Sequence, residues 1–257
     1  MAVNPEKLST DELYFSDNEY MSNSKFKRFN RCERLGLTDF GKPTTPLLVG
    51  SFVDSYVSGE LDKFKEEHPE IFYKNDKTKL KADFRQAEKI CEFIDNDRTI
   101  QDFLSGDKQT VFTGEIGGVP YKAKLDIYSE GIAINDLKIM KSITDRNGNY
   151  YDFITNWRYD IQGAIYQEIV YQNTGDKLPF FIVAVTKETP INSAIINIDQ
   201  STLDLALDEV KEKSKHYYDI WKGLEVPNGC GICKECISSR LTTPIISLQD
   251  LQLPLDN

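Results

Sequence analysis

Gly118-Val-Pro-Tyr-Lys-Ala-Lys-Leu-Asp126, followed by Ile132-Ala-Ile-Asn-Asp136-Leu-Lys138, is the stretch whose reading decides the fold. Two short runs of β-branched and apolar residues are separated by Ser129-Glu130-Gly131, which predicts a hairpin with a glycine-containing turn. At a period of two, Lys122, Lys124, Asp126 and Tyr128 share one face of the first strand, and Tyr121, Ala123, Leu125 and Ile127 share the other. In the second strand Ile132, Ile134, Asp136 and Lys138 fall together. If Tyr128 pairs with Ile132, Asp126 lies opposite Ile134 and diagonal to Asp136, roughly 7–8 Å away, so two short carboxylates converge on one cation.

Two carboxylates, with the Leu137 carbonyl at the strand end, are hard oxygen ligands of the kind that hold Mg²⁺ or Mn²⁺. Lys138 is placed to orient or deprotonate a metal-bound water and to offset charge on a phosphate. That chemistry is phosphodiester hydrolysis. The competing account is a solvated hairpin whose polar face carries two aspartates and three lysines, and the pattern by itself does not decide between them.

A chain of 257 residues with 40% hydrophobic and 28% charged residues is long enough to bury a substantial core. No apolar run approaches a membrane span and Met1 to Thr10 is polar, so a cytoplasmic protein that does not meet the membrane is expected. The net charge of −10 argues against a general nucleic-acid coat. It leaves room for a nuclease, whose carboxylate site is itself acidic and whose channel needs only local positive potential. Basic residues do cluster, at Lys25, Lys27, Arg28, Arg31 and Arg34 and again at Lys74, Lys77, Lys79, Lys81, Arg85 and Lys89, although either run could be a solvated face. Of five cysteines, Cys230, Cys233 and Cys236 form C-G-I-C-K-E-C, which is ligand spacing.

Along the chain, residues 1–20 read as a loosely held arm, residues 21–240 as one domain, and 241–257 as a tail. A helix capped by Ser22 or Ser24 carries Phe26, Phe29 and Cys32 on one stripe. A second, from about Leu47 to Leu61, bears Asp54 near its apolar face, and a third, about Ala82 to Asn96, buries Cys91. Residues 63–82 are charged and turn-like. A strand from Thr110 to Gly117, carrying Glu115, leads into the hairpin. A helix near Asn156 to Tyr171 then places Gln162 and Tyr166 four apart on one face. Lys177 to Thr186 and Ala194 to Ile198 read as antiparallel strands, and Ser201 to Trp221 as a long amphipathic helix. The order predicts an α/β fold, a mixed central sheet flanked by helices.

Taken together, these pieces resemble the PD-(D/E)XK nuclease superfamily, in its RecB-like phage and bacterial exonuclease branch. Phe26-Lys-Arg-Phe-Asn-Arg-Cys32 is similar to that branch's opening helix and Leu48-Val-Gly50-Ser-Phe-Val-Asp54 to its second. Lys122-Ala-Lys-Leu-Asp126 with Asp136-Leu-Lys138 is similar to its catalytic hairpin, and Gln162-Gly-Ala-Ile-Tyr166 to its Q-x3-Y helix. The resemblance implies a restriction-endonuclease-like fold, with Asp126, Asp136 and the Leu137 carbonyl as metal ligands. It makes Lys138 the water-activating residue and has Gln162 and Tyr166 position the site or the DNA. Asp54 departs from the branch's usual histidine, but aspartate suits Mg²⁺ at least as well, and Glu115 is a similar candidate ligand. Cys32 with Cys230, Cys233 and Cys236 resembles the iron–sulfur arrangement of AddB-type and CRISPR-adaptation nucleases. A [4Fe–4S] cluster is the expected occupant and Zn²⁺ the alternative; either would close a loop of about 200 residues.

The resulting expectation is a metal-dependent exonuclease that degrades duplex ends 5′→3′ without sequence preference, as in the phage recombination enzymes similar to RecE and lambda exonuclease. A single-strand annealing protein is the expected partner, and a homo-oligomer is possible. Two alternatives stand beside it: a single-strand or CRISPR-adaptation-type iron–sulfur nuclease, and a non-catalytic DNA-binding scaffold with a metal-bound cysteine cluster.

Overall fold

The computed structural model describes residues 8, 10–39, 41–150, 152–245 and 247–248. Its centre is a five-stranded sheet of β3 (Asp107–Ile116), β4 (Val119–Ser129), β5 (Ala133–Met140), β6 (Phe180–Thr186) and β7 (Ser193–Ile198), in the order β3-β4-β5-β6-β7. Only β5 and β6 run parallel. A parallel pair needs a crossover, and the chain supplies it with α8 (Phe153–Trp157) and α9 (Tyr159–Thr174). The sheet is therefore mixed and helix-flanked, as its sequence predicts.

Helices cover both faces. One core gathers α9, α10 (Gln200–Trp221) and α2 (Asn23–Arg31) through Ile161, Ile165, Ile169, Leu203, Val210, Phe26 and Phe29. The other gathers α4 (Thr45–Val57), α5 (Leu61–Glu67), α6 (Ala82–Asn96) and α7 (Arg98–Phe103) over Ile127, Leu137, Val183 and Val185. Cys91 is buried in this second core. Among the described residues no helix is long and apolar enough to cross a membrane.

The hairpin forms, but two residues out of the expected register. Tyr128 pairs with Ile134 and Ile127 with Asn135. The turn is longer than Ser129-Glu130-Gly131: Ile132 N–H donates to Ser129 O at 2.9 Å and Gly131 takes φ +66°. That is the left-handed position a type II turn reserves for glycine. Ile132 lies in this turn, 71% exposed, and not in the strand. The shift brings Asp126 level with Asp136 instead of diagonal to it.

The strict two-residue alternation of β4 also fails. Leu125 packs in the α9 core, whereas Ile127 packs in the α4–α6 core, so the strand changes face at Asp126. Across the ladder, Lys108 pairs with Ile127 and Thr110 with Leu125, and Gln109 between them has φ +54°. A left-handed residue in a strand reverses the side-chain alternation locally, and here it does so opposite Asp126.

Other boundaries differ for identifiable reasons. The Ser22 hydroxyl caps α2 by accepting from Lys25 N–H at 3.2 Å, but the helix ends at Arg31. Cys32 is extended, at φ −168°, and joins α2 to α3 (Glu33–Leu37), so it sits at a corner and not on the apolar stripe. The helix expected over 156–171 is two helices, broken where Arg158 adopts φ +52° and bonds Asp160 and Glu209. Of residues 1–20, expected as a loose arm, 10–20 carry α1 (Asp11–Ser16) and are docked. Met21 bridges to Tyr121, Lys122 Nζ donates to Tyr14 O, and Tyr218 Oη donates to Glu19 O at 3.1 Å. Residues 63–82 hold most of α5 and a two-stranded ribbon, β1 (Phe72–Tyr73) and β2 (Asp76–Leu80).

Candidate active site and metal centre

The change of face at Asp126 splays β4 away from β5. Their ladder ends at Ile127 and Asn135, and Leu137 N–H donates instead to Asp126 Oδ2 at 3.0 Å. The carboxylate thus takes the place of a strand partner and is held at the mouth of the splay. Asp136, on β5, is 1% exposed; its Oδ1 accepts from Gln162 Nε2 at 2.6 Å, and its Oδ2 touches the Lys138 ammonium. Lys138 Nζ also lies 4.0 Å from Asp126 Oδ2, 3.4 Å from the Leu137 carbonyl oxygen and 5.5 Å from the Tyr159 ring centre. Asp126, Asp136, the Leu137 carbonyl, Lys138 and Gln162 are therefore brought together.

Burial raises the Asp126 carboxyl well above its ordinary range, and the charges of Asp136 and Asp54 push it further. Burial would lower Lys138, but Asp136 and Asp126 outweigh it and hold the ammonium charged. Lys27, on α2, feels burial first and then Lys138, and is pushed down to about 8. Two carboxylates facing each other with one lysine between them form a site short of positive charge.

Asp54 joins this group from the opposite layer. It projects from α4 and accepts from Gln109 Nε2 at 3.2 and 3.1 Å, so the left-handed residue opposite Asp126 also tethers Asp54. Tyr166 lies one turn beyond Gln162 on α9, and its hydroxyl accepts from Asn23 Nδ2 at 2.8 Å. Asp54, Gln109, Asp126, Tyr166 and Asn23 all line one cleft of about 1230 Å³. Glu115 does not reach it. It is exposed at the far end of β3, paired with Pro120, and six residues of strand, about 20 Å, separate it from Gln109. Gln109, Asn23 and Tyr159 are not legible in the sequence as site residues; an asparagine directly after the capping Ser22 is the one available hint.

The donor set fits a divalent cation. Asp136 Oδ2 is buried and accepts no well-angled hydrogen bond among the described residues, while the Asp126 side chain is 21% exposed to the cleft. Two adjacent carboxylates that share a single lysine offer the hard oxygen donors such a cation takes.

The cysteines converge beside the C-terminal end of α2. Cys32, Cys230, Cys233 and Cys236 place their sulfurs within 4.8 Å of one another, and none is in a disulfide. Cys32 Sγ is 3.6 Å from both Cys236 and Cys233, and Cys230 Sγ is 3.9 Å from Cys236. Gly229 permits the close turn, because a Cβ there would stand 3.0 Å from both Cys236 Sγ and Arg34 Nε. Burial works against the Cys32 thiolate, but backbone N–H groups of Leu35 and Cys230 bring its pKa down to about 6. These four thiols can hold a metal. Cys91 stands apart in the core.

Comparison with known proteins agrees with this architecture. No curated protein matches the chain. A crystal structure from Eubacterium rectale, described as a "putative exonuclease", is 40% identical, with a TM-score of 0.84 over 99% of this chain and 100% of that one. The family model for a PDDEXK-like domain of unknown function (DUF3799) matches residues 22–239. The protein belongs to that family, and with it to the PD-(D/E)XK superfamily.

Proposed function

We propose that the protein is a metal-dependent nuclease that hydrolyses DNA from its ends. The observation that carries the reading is the meeting of Asp126, Asp136 and Lys138 where β4 and β5 splay, with Asp126 lining an open cleft. The description of the similar E. rectale protein as an exonuclease supports it.

Asp126, Asp136, the Leu137 carbonyl and, from α4, Asp54 would hold Mg²⁺ or Mn²⁺. Such an ion supplies a Lewis acid for the phosphate and lowers the pKa of bound water. Leu137 N–H fixes the Asp126 rotamer, and Gln162 fixes that of Asp136. Lys138, anchored between the two carboxylates, presents its ammonium to the attacking water and to the charge that develops on the phosphate. Tyr166, held by Asn23, borders the path of the scissile strand. Degradation of duplex ends in the 5′→3′ direction is part of this proposal, as is the absence of sequence preference. Asp136→Ala should abolish Mg²⁺-dependent digestion of end-labelled linear DNA while the fold is retained, and digestion at the wild-type rate would refute the site. Early release of a 5′ label in the wild type supports the polarity.

The cysteine site is read as a structural metal centre. Around one tetrahedral ion with metal–sulfur bonds of about 2.3 Å, sulfurs stand about 3.8 Å apart. Three of the six sulfur separations are 3.6–3.9 Å and all six are within 4.8 Å, which supports a single ion such as Zn²⁺. In a [4Fe–4S] cubane each thiolate binds a different iron outside the cube, so the exposed Cys230 and the half-buried Cys233 would have to move outward. A broad visible absorption in anaerobically purified protein would establish the cluster, and stoichiometric zinc without colour the single ion.

A further inference from the structure

The ribbon formed by β1 and β2 has no part in the site described above. It is a two-stranded sheet without a third strand, turned by Lys74 and Asn75 between the paired Tyr73 and Asp76. Such a hairpin is marginal by itself, and here its base is fastened. Ile71 and Leu80 are buried in the α4–α6 core, Lys81 N–H donates to Ile71 O at 2.9 Å, and Lys81 Nζ donates to Glu70 O at 2.6 Å. Everything from Tyr73 to Thr78 and on to Lys79 is exposed.

The charge of this projection runs against that of the molecule. Residues 72–81 carry Lys74, Lys77, Lys79 and Lys81 against one acid, Asp76, in a chain of net charge −10. Asp76 is turned inward on its own strand, its Oδ1 accepting from Thr78 N–H at 3.0 Å and from Thr78 Oγ1 at 2.6 Å. Lys79 lies 5.8 Å from the Tyr73 ring centre, and no ion pair to Lys74 or Lys77 is present among the described residues. The position is equally specific. Lys63, Glu67 and His68 of the α5 end line the catalytic cleft, and the ribbon begins four residues beyond His68. Its base therefore lies within four residues of the cleft's rim, and its ammonium groups lie outside the cleft lining.

Resting on the DNA reading above, we infer that the 72–80 ribbon is an electrostatic arm that grips the phosphate backbone of the duplex still to be degraded, outside the cleft. Flexible lysines without planar donors neutralise phosphates and read no bases. The arm sets affinity for long DNA, not the chemistry.

Binding and hydrolysis separate this inference from the nuclease reading. Equilibrium binding to a long blunt duplex, measured without divalent cation across a salt series, is compared for wild type, Lys74→Gln/Lys77→Gln/Lys79→Gln and the corresponding triple Arg variant. Each neutralised phosphate contributes about 0.9 to the slope of log K against log salt. The Gln triple should lose about 2 to 3 from that slope and roughly tenfold or more in low-salt affinity, while the Arg triple keeps both. Turnover of an oligonucleotide too short to leave the cleft should be the same in all three. An unchanged slope in the Gln triple overturns the arm, as does a wild type that does not bind duplex at all. A parallel loss of short-substrate turnover overturns it too, because the defect then lies in the cleft. A wild type that binds with the expected slope but hydrolyses nothing would sink the nuclease reading and leave the arm standing.

Discussion

At the scale of single residues, Gln109 links backbone strain to the site. A non-glycine residue at φ +54° in a strand is disfavoured by roughly 1 kcal/mol or more. Glycine would relieve that strain, yet only a side chain can donate to Asp54 as Gln109 Nε2 does. Both Gln109→Gly and Gln109→Ala remove the amide, so the difference between them isolates the backbone. Glycine is normally the worse strand residue. Here Gln109→Gly should melt above Gln109→Ala by about 2–4 °C, the equivalent of about 1 kcal/mol in a chain of this size. Both should need severalfold more Mg²⁺ for half-maximal turnover than wild type, because Asp54 loses its tether. A melting order with alanine on top would show that the left-handed backbone is not maintained in solution.

At the scale of elements, most of the site was legible because its elements are periodic. Gln162 and Tyr166 share a helix face by spacing alone, and Asp136 and Lys138 share a strand face by alternation. The register departs from the sequence expectation because Ile132 is a β-branched residue that suits a strand, whereas the turn's hydrogen bond to Ser129 draws it out of the ladder. The reversal at Asp126 has no signature in an apolar-polar pattern, since it depends on one backbone angle in the neighbouring strand. For the same reason Gln109 could not be foreseen, and Glu115 looked nearer than it is. The corner at Cys32 was hidden by an apolar stripe that fitted a continuous helix. Docking between elements adds a pH dependence that sequence does not show. His216 on α10 meets Glu33 of α3 at 3.0 Å and Glu225 at 2.5 Å, and these acceptors raise its pKa. A raised folded pKa stabilises below the unfolded value of about 6.5, and the contribution fades as pH climbs through the folded value. His216→Gln should therefore lower the melting temperature at pH 6 and converge on wild type at higher pH. A gap independent of pH would show that the imidazolium is not what docks α10.

At the scale of the whole molecule, the cysteine centre joins the two ends of the fold. Cys32 lies at the corner between α2 and α3; Cys230 and Cys233 lie in the segment that leads into α11 (Lys234–Ser238), and Cys236 lies on that helix. The same α2 carries Asn23, which holds Tyr166, and Lys27, which feels the charge of Lys138. A metal bound to all four thiolates closes a loop of about 200 residues in the unfolded chain, which in a chain-entropy account is worth up to about 5 kcal/mol. Protein contacts hold part of this without metal: Arg34 Nη1 donates to Ser239 Oγ at 2.7 Å and Asn228 N–H to Glu33 Oε2 at 2.5 Å. Cys233→Ser should accordingly lose its metal and melt on the order of 10 °C below wild type. Cys91→Ser, altered in the core and outside the cluster, should keep a full complement of metal whatever its melting temperature. Because α2 would be released from the C-terminal segment, Cys233→Ser should also lose turnover while still folded at low temperature, and a strong chelator that strips the wild type should reproduce that loss. Metal analysis of the three proteins beside their melting curves decides the matter. A Cys233→Ser protein with unchanged metal content would remove the centre, and one that loses metal yet melts with wild type would remove its role in joining the ends.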